Sequence, residues 1–68
     1  MRAVSGKELC KALERKGWRN VRTRGSHHVY ASPDGSITIT VPVHANRTLP
    51  TGTQHGIMKT AGLTEADL

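Results

Sequence analysis

The sequence predicts a small α+β domain of order α-β-β-β-α: a three-stranded antiparallel sheet with two helices on one face. Three observations predict this fold. An amphipathic helical pattern precedes residue 17, a Gly-Ser pair separates two extended runs at 25–26, and apolar and polar residues alternate strictly over 36–41. Each helix has one apolar stripe and the sheet has one apolar face, so packing both helices on that face buries all three surfaces.

The first helix has clear start and stop signals. Ser5 is an N-cap, and Glu8 three residues later completes a capping box ahead of the apolar residues of the helix. Gly17 ends the helix because glycine readily adopts the left-handed conformation that a C′ residue takes. Trp18 then follows as C″, and we expect it to cover the core rather than to serve as a stacking platform.

The next segment is a hairpin, with strands over 18–24 and 27–31 and a type II′ turn at Gly25 and Ser26. A two-residue loop fixes the register and therefore the faces, because opposed residues share a face and faces alternate along a strand. The register pairs Arg24 with His27, Thr23 with His28, Arg22 with Val29, and Val21 with Tyr30. One face then carries Arg22, Arg24, His27 and Val29. The other face, which packs on the helices, carries Val21, Thr23, His28 and Tyr30.

The second half of the chain completes the sheet and adds a helix. A turn at 32–35 leads to a strand over 36–41 that directs Ile37, Ile39 and Val41 into the core. The second helix runs from residue 50 or 51 to 61, with Thr51 and Gln54 as a second capping box. Gly62 ends this helix, and residues 64–68 begin another turn.

Composition and charge limit the functional classes. The 68 residues make a single domain, 1–68, with a formal charge of +5 and a pI of about 10.2. Such a chain favours polyanionic partners, although ordinary solubility also explains the charge. Cys10 is the only cysteine, so no internal disulfide forms, and we expect a buried, unreactive thiol. No segment resembles a leader or a membrane span, so we expect a cytoplasmic protein without a membrane partner. With no Phe, one Trp and one Tyr, the predicted core is aliphatic and thin, which is compatible with a homo-oligomer or a complex.

Metal-dependent chemistry has little support, and no cofactor is expected. Two-metal phosphodiester cleavage needs several carboxylates that converge on the metal ions. The side-chain carboxylates fall in a helix cap, on a helix surface, in a turn and at the C-terminus, and no two have ligand spacing on a shared element: Glu8, Glu14, Asp34, Glu65 and Asp67. His27 and His28 are adjacent on a strand and therefore point to opposite faces, so they do not chelate one ion together.

A metal-free ribonuclease remains open. The RNA 2′-hydroxyl is a nucleophile within the substrate, and a neutral imidazole near its ordinary pKa can accept its proton. His27 is the candidate catalytic residue, and Arg22, Arg24 and the turn residues Gly25 and Ser26 are candidate RNA- or phosphate-binding residues. The group that protonates the leaving 5′-oxygen is left open between His44, Ser26 and water. From residue types alone, an exposed histidine near arginines is more often a phosphate contact, or a residue without a functional role, than a catalytic group.

Several runs of the chain resemble the HicA toxins. They are Lys16-Gly17-Trp18, Val21 to Tyr30 with its Gly-Ser-His-x-x-Tyr element, Val41-Pro42-Val43-His44, Leu49-Pro50-Thr51-Gly52-Thr53, and Ile57 to Leu63. The resemblance implies a double-stranded-RNA-binding-like fold, an mRNA interferase that cleaves RNA and inhibits translation, and a HicB-type antitoxin as partner. The family's functional histidine falls on His27. Two departures are Gln54, where the family usually has an apolar residue, and the lysine-poor loop Ala45-Asn46-Arg47.

Two rival functions remain from the sequence. A non-catalytic RNA-binding module would use the basic face to contact phosphates and 2′-hydroxyls. An interaction domain would instead present that face to an acidic protein. For an antitoxin, covering the face that carries His27 is the direct route to inhibition.

Overall fold

The computed structural model describes residues 2–68 and has the predicted order of elements. The elements are α1 (Gly6–Arg15), β1 (Arg19–Arg24), β2 (His27–Ala31), β3 (Thr38–Pro42), α2 (Thr51–Ala61) and a 3₁₀ helix (Glu65–Asp67). The three strands form one antiparallel sheet with β2 in the centre. Neither helix of this part of the chain is long and apolar enough to cross a bilayer.

Helix α1 begins and ends at the residues that the sequence predicts. Ser5 Oγ accepts a hydrogen bond from the Glu8 N–H at 3.1 Å, and a Glu8 carboxylate oxygen accepts one from the Ser5 N–H at 3.0 Å. At the other end Gly17 has φ of 88°, and the Trp18 N–H donates to the Leu13 carbonyl at 3.0 Å, as in a Schellman motif. Trp18 is only 6 % exposed, which confirms its predicted place in the core.

Both helices and one face of the sheet share a single hydrophobic cluster, as predicted. Its members come from α1, from β2 and β3, from α2, and from the segments between them: Val4, Leu9, Cys10, Ala12, Leu13, Trp18, Tyr30, Ile39, Val41, Leu49, Ile57, Met58 and Leu63. No residue of β1 belongs to this cluster, so the helices cover the sheet mainly at β2 and β3.

A polar turn delays the start of β3 by two residues. One oxygen of Asp34 accepts hydrogen bonds from the Ser36 N–H, the Ser36 hydroxyl and the Ser32 hydroxyl at 2.9, 2.7 and 2.8 Å. These donors, the Ser36 N–H first, lower the pKa of Asp34 to about 2. The Ser32 N–H bonds the Ile37 carbonyl at 2.8 Å, so Ile37 closes the turn and lies 43 % exposed. The prediction that Ile37 enters the core is therefore wrong.

Helix α2 has the predicted length but not the predicted cap. Its N-cap is Pro50, without a side-chain hydrogen bond, so the capping box of Thr51 and Gln54 is wrong. Gln54 is instead 0 % exposed: its Nε2 donates to the Arg2 carbonyl at 2.6 Å, and its Oε1 accepts from the Val4 N–H at 3.1 Å. Gln54 thus joins α2 to the N-terminal segment through two hydrogen bonds to its backbone.

The C-terminal turn predicted from residues 64–68 is the 3₁₀ helix. Cations of the first helical region hold it in place. The Arg15 guanidinium donates to the Asp67 carbonyl at 2.8 Å, and Lys16 Nζ lies 3.2 Å from Asp67 Oδ1.

Candidate nucleic-acid interface

The face of the sheet opposite the helices consists of three cross-strand rows. Each row runs from an arginine on β1, through β2, to a residue of β3: Arg24–His27–Pro42, Arg22–Val29–Thr40 and Arg19–Ala31–Thr38. We call these nine residues the open face. The alternate residues of β2 and β3 lie on the other face, where Tyr30, Ile39 and Val41 are buried beneath the helices.

The hairpin turn positions His27 at the end of the open face, as predicted. Gly25 has φ of 56° while Ser26 stays outside the left-handed region, the combination of a type II′ turn. Arg24 and His27 directly flank the turn, and residues so paired have Cα atoms about 5.5 Å apart. Arg22, Arg24 and His27 are all exposed. The Ser26 carbonyl accepts a hydrogen bond from the Val43 N–H at 2.7 Å, which fixes the turn to the segment after β3.

The predicted register fails beyond Arg22, because β1 contains a bulge. Asn20, not Val21, is the partner of Tyr30, and Val21 is an extra residue that is 53 % exposed. The Thr23 hydroxyl donates to Asn20 Oδ1 at 3.4 Å, so the two side chains lie on one face. In a regular strand, residues three apart lie on opposite faces. The placement of Val21 on the packed face is therefore wrong, and Asn20 takes that place.

The bulge also brings a residue to the open face that the sequence analysis missed. Arg19 pairs with Ala31, so it joins the same face as Arg22 and Arg24. A signal for this was present in the sequence. If faces alternate regularly from the buried Trp18, Arg19 lies on the open face and Arg22 on the helix-side face. If they alternate regularly back from the hairpin turn, Arg22 lies on the open face. This conflict of phase requires one extra residue between them.

The helix-side face holds His28 and Tyr30, as predicted. His28 is partly buried and lines a cleft of about 490 Å³ with residues of α1, β1 and β2, including Cys10, Glu14 and Tyr30. The Tyr30 hydroxyl donates to Glu14 Oε2 at 2.6 Å, and burial together with this hydrogen bond raises the pKa of Tyr30. Burial likewise raises the pKa of the Cys10 thiol, which suits a structural residue rather than a nucleophile.

The other two histidines do not lie on the open face. His44 is exposed in the loop after β3, and it follows Val43, whose N–H bonds the Ser26 carbonyl beside the turn. His55 is exposed on α2. The structure therefore brings together His27, Arg22 and Arg24, with Gly25 and Ser26 in the adjacent turn, and it adds Arg19.

None of the carboxylates belongs to the open face. Glu8 caps α1, Glu14 bonds Tyr30, Asp34 organises its turn, and Asp67 bonds Lys16, while Glu65 accepts from the Arg2 N–H at 2.8 Å. Over residues 2–68 no group of three or more His, Cys, Asp or Glu side chains is placed to hold a metal ion.

Comparison with known proteins identifies the family. The model of a family described as the HicA toxin of bacterial toxin–antitoxin systems matches residues 6–63, a stretch that includes both helices, the sheet and the hairpin with His27. A search of curated proteins found no match. Because the family match covers most of the chain, the protein belongs to the HicA family, the toxins of bacterial toxin–antitoxin pairs.

Proposed function

We propose that this toxin is a metal-independent endoribonuclease that cleaves mRNA and thereby inhibits translation. The main support for the proposal is the position of the exposed His27. It lies in the same cross-strand row as Arg24, and Arg22 lies in the next row. The residues that we assign as general base and as phosphate-binding cations thus share a face that the helices leave uncovered. This is the arrangement that cleavage by the RNA 2′-hydroxyl requires.

In the proposed reaction, His27 accepts the proton of the 2′-hydroxyl as the 2′-oxygen attacks the adjacent phosphorus. The bond from phosphorus to the 5′-oxygen breaks, and that oxygen takes a proton from water, which reaches this exposed site. Arg22 and Arg24 bind the non-bridging phosphate oxygens and stabilise the charge that develops on them. The products are a 2′,3′-cyclic phosphate and a 5′-hydroxyl.

The proposal needs no metal ion because the substrate supplies its own nucleophile and arginines stabilise the phosphate. The positions of the carboxylates agree with this mechanism, since each one described above takes part in a cap, a turn or a contact away from His27. Neither Cys10 nor Tyr30 competes as a proton-transfer group, because both are buried on the helix side.

The test is cleavage of end-labelled RNA in EDTA by the wild-type protein and by His27→Ala. Loss of a positioned general base lowers rates by about 10²–10⁴-fold, so we expect the variant to leave the RNA intact and to abolish growth arrest. His55→Ala, an exposed histidine on α2, is the matched control and should cleave at the wild-type rate. Cleavage by His27→Ala at the wild-type rate, or binding of RNA by the wild type without any product, would overturn the proposal.

We propose a HicB-type antitoxin as the protein partner, bound over the open face. The face combines an exposed histidine with arginines, so an acidic segment of the partner would complement it. Such binding predicts that Arg22→Glu weakens the complex, whereas a charge reversal at Lys59 on α2 does not.

A further inference from the structure

The positive charge of the open face lies along one edge only. Arg19, Arg22 and Arg24 all come from β1, whereas β2 and β3 contain no lysine or arginine. The remaining cations that the structure describes belong to other regions. They are Arg2, Lys7, Lys11, Arg15, Lys16, Arg47 and Lys59. The open face therefore has a basic edge and a neutral remainder.

The three arginines occupy successive rows of the open face, and the bulge brings Arg19 into this series. Successive rows on one face of a sheet lie two residues apart, or about 6.8 Å. Arg24 and Arg22 follow this spacing directly. Arg22 and Arg19 are three residues apart in sequence, yet they occupy adjacent rows because Val21 is extruded. Arginines in successive rows match the spacing of successive phosphates along one extended polynucleotide strand.

The remainder of the open face suits bases rather than a second backbone. Beside the arginines lie the partly exposed Val29 and the buried Ala31, and beyond them the exposed hydroxyl residues Thr38 and Thr40. From β1 to β3 the face is about 10 Å across. A duplex presents two phosphate backbones and would place one of them over the uncharged threonines. A single strand places its only backbone over β1 and its bases over Val29 and the two threonines.

We propose that Arg19, Arg22 and Arg24 together bind successive phosphates of one single-stranded RNA. Arg19 is the third of these contacts. Without the bulge, regular alternation along β1 would place Arg19 on the helix-side face. The choice of RNA as ligand rests on the proposed function. The strand runs along β1, with the cleaved phosphate in the row of His27 and the phosphates beyond it on Arg22 and Arg19. The fold thus binds an unpaired strand, although its topology is like that of duplex-binding domains.

The test measures binding alone, in the His27→Ala background, so that cleavage does not interfere. The probe is a short fluorescein-labelled oligouridylate, free or annealed to oligoadenylate, and anisotropy is followed over a range of salt concentrations. For a single strand, log K falls with log salt by about 0.7 per phosphate contact, so three contacts predict a slope of about −2. Arg19→Gln should reduce the slope by about 0.7, and Lys59→Gln, the control, should leave it unchanged. The free strand should bind more tightly than the duplex.

An exchange of neighbouring residues tests the bulge itself. Arg19→Asn combined with Asn20→Arg keeps the composition and net charge but moves the guanidinium to the helix-side face. We expect this variant to show the same reduced slope as Arg19→Gln, with melting curves confirming that it folds. A wild-type slope in either variant, or tighter binding of the duplex, would overturn the inference. If the strand binds as expected but the wild-type protein does not cleave it, only the proposed ribonuclease activity fails.

Discussion

Replacing Gly6 with alanine should destabilise the domain, although alanine is ordinarily the better helix residue. Gly6 is the first residue of α1 and packs against the end of β3. A Cβ at this position would overlap the Pro42 carbonyl oxygen and lie 3.1 Å from both the Pro42 carbonyl carbon and the Val43 Cα. All three are backbone atoms, which do not rotate aside as a side chain would. The helix and the strand must therefore separate.

The cost follows from that geometry. Overpacking typically costs about 1–3 kcal/mol of stability. The upper part of this range applies here because the new Cβ on α1 meets the backbone of Pro42 and Val43. After the helical preference of alanine is subtracted, we expect the free energy of unfolding to fall by about 2 kcal/mol. For a domain of this size that loss corresponds to a fall in Tm of roughly 8–16 °C. Pro42 is the partner of His27, so the same displacement reaches the open face and should also reduce RNA cleavage.

Thermal unfolding of Gly6→Ala and Gly56→Ala provides the comparison. Gly56 lies within α2 with nothing near its missing side chain, so alanine there should stabilise the domain by about 0.5–1 kcal/mol. We expect Gly6→Ala to lower the Tm and Gly56→Ala to raise it. A Gly6→Ala protein as stable as the wild type would refute the close approach of α1 to β3.

Two further predictions concern hydrogen-bonded groups that titrate. Tyr30→Phe removes the donor to Glu14 and should lower the free energy of unfolding in urea by about 1 kcal/mol. Because folding raises the pKa of Tyr30, the contribution of Tyr30 to stability is fully present below the unfolded pKa of about 10 and is lost as the pH rises above it. The phenylalanine variant should lack this loss of stability at high pH. The lowered pKa of Asp34 has the opposite consequence: its contribution is present above about pH 4 and is lost as the pH falls toward 2. Asp34→Asn, which keeps the acceptor oxygen, should therefore show a shallower loss of Tm over that acid range, and an identical acid profile would contradict the role of the carboxylate.

The parts of the fold that the sequence predicts are those determined by neighbouring residues. Ser5 and Glu8 are three residues apart and satisfy each other, and Gly17 and Trp18 close the same helix through backbone groups one turn away. The hairpin register is likewise right near its two-residue turn, where no contact with the rest of the chain is needed. It fails at Val21, because whether a strand adopts a bulge depends on how both of its ends are held.

The other errors arise where a distant contact competes with a local one. Gln54 has the spacing of a capping residue relative to Thr51, but it bonds the backbone of Arg2 and Val4, some fifty residues away in sequence. Ile37 alternates correctly with Ile39, yet the hydrogen bonds of Ser32 hold it in the turn. Neither outcome follows from local periodicity. For the site, the turn was sufficient to place His27, Arg22 and Arg24 together, while Arg19 depended on the bulge.

The chemistry of the cleaved ends distinguishes attack by the RNA 2′-hydroxyl from every metal-dependent route. Purified wild-type protein is incubated in EDTA with an RNA strand and with the same strand carrying 2′-deoxyribose throughout, and the products are analysed by mass spectrometry. We expect 2′,3′-cyclic phosphate and 5′-hydroxyl ends from the RNA and no cleavage of the deoxyribose strand. Scission of the deoxyribose strand, or activity that appears only when a divalent metal is added, would contradict this expectation.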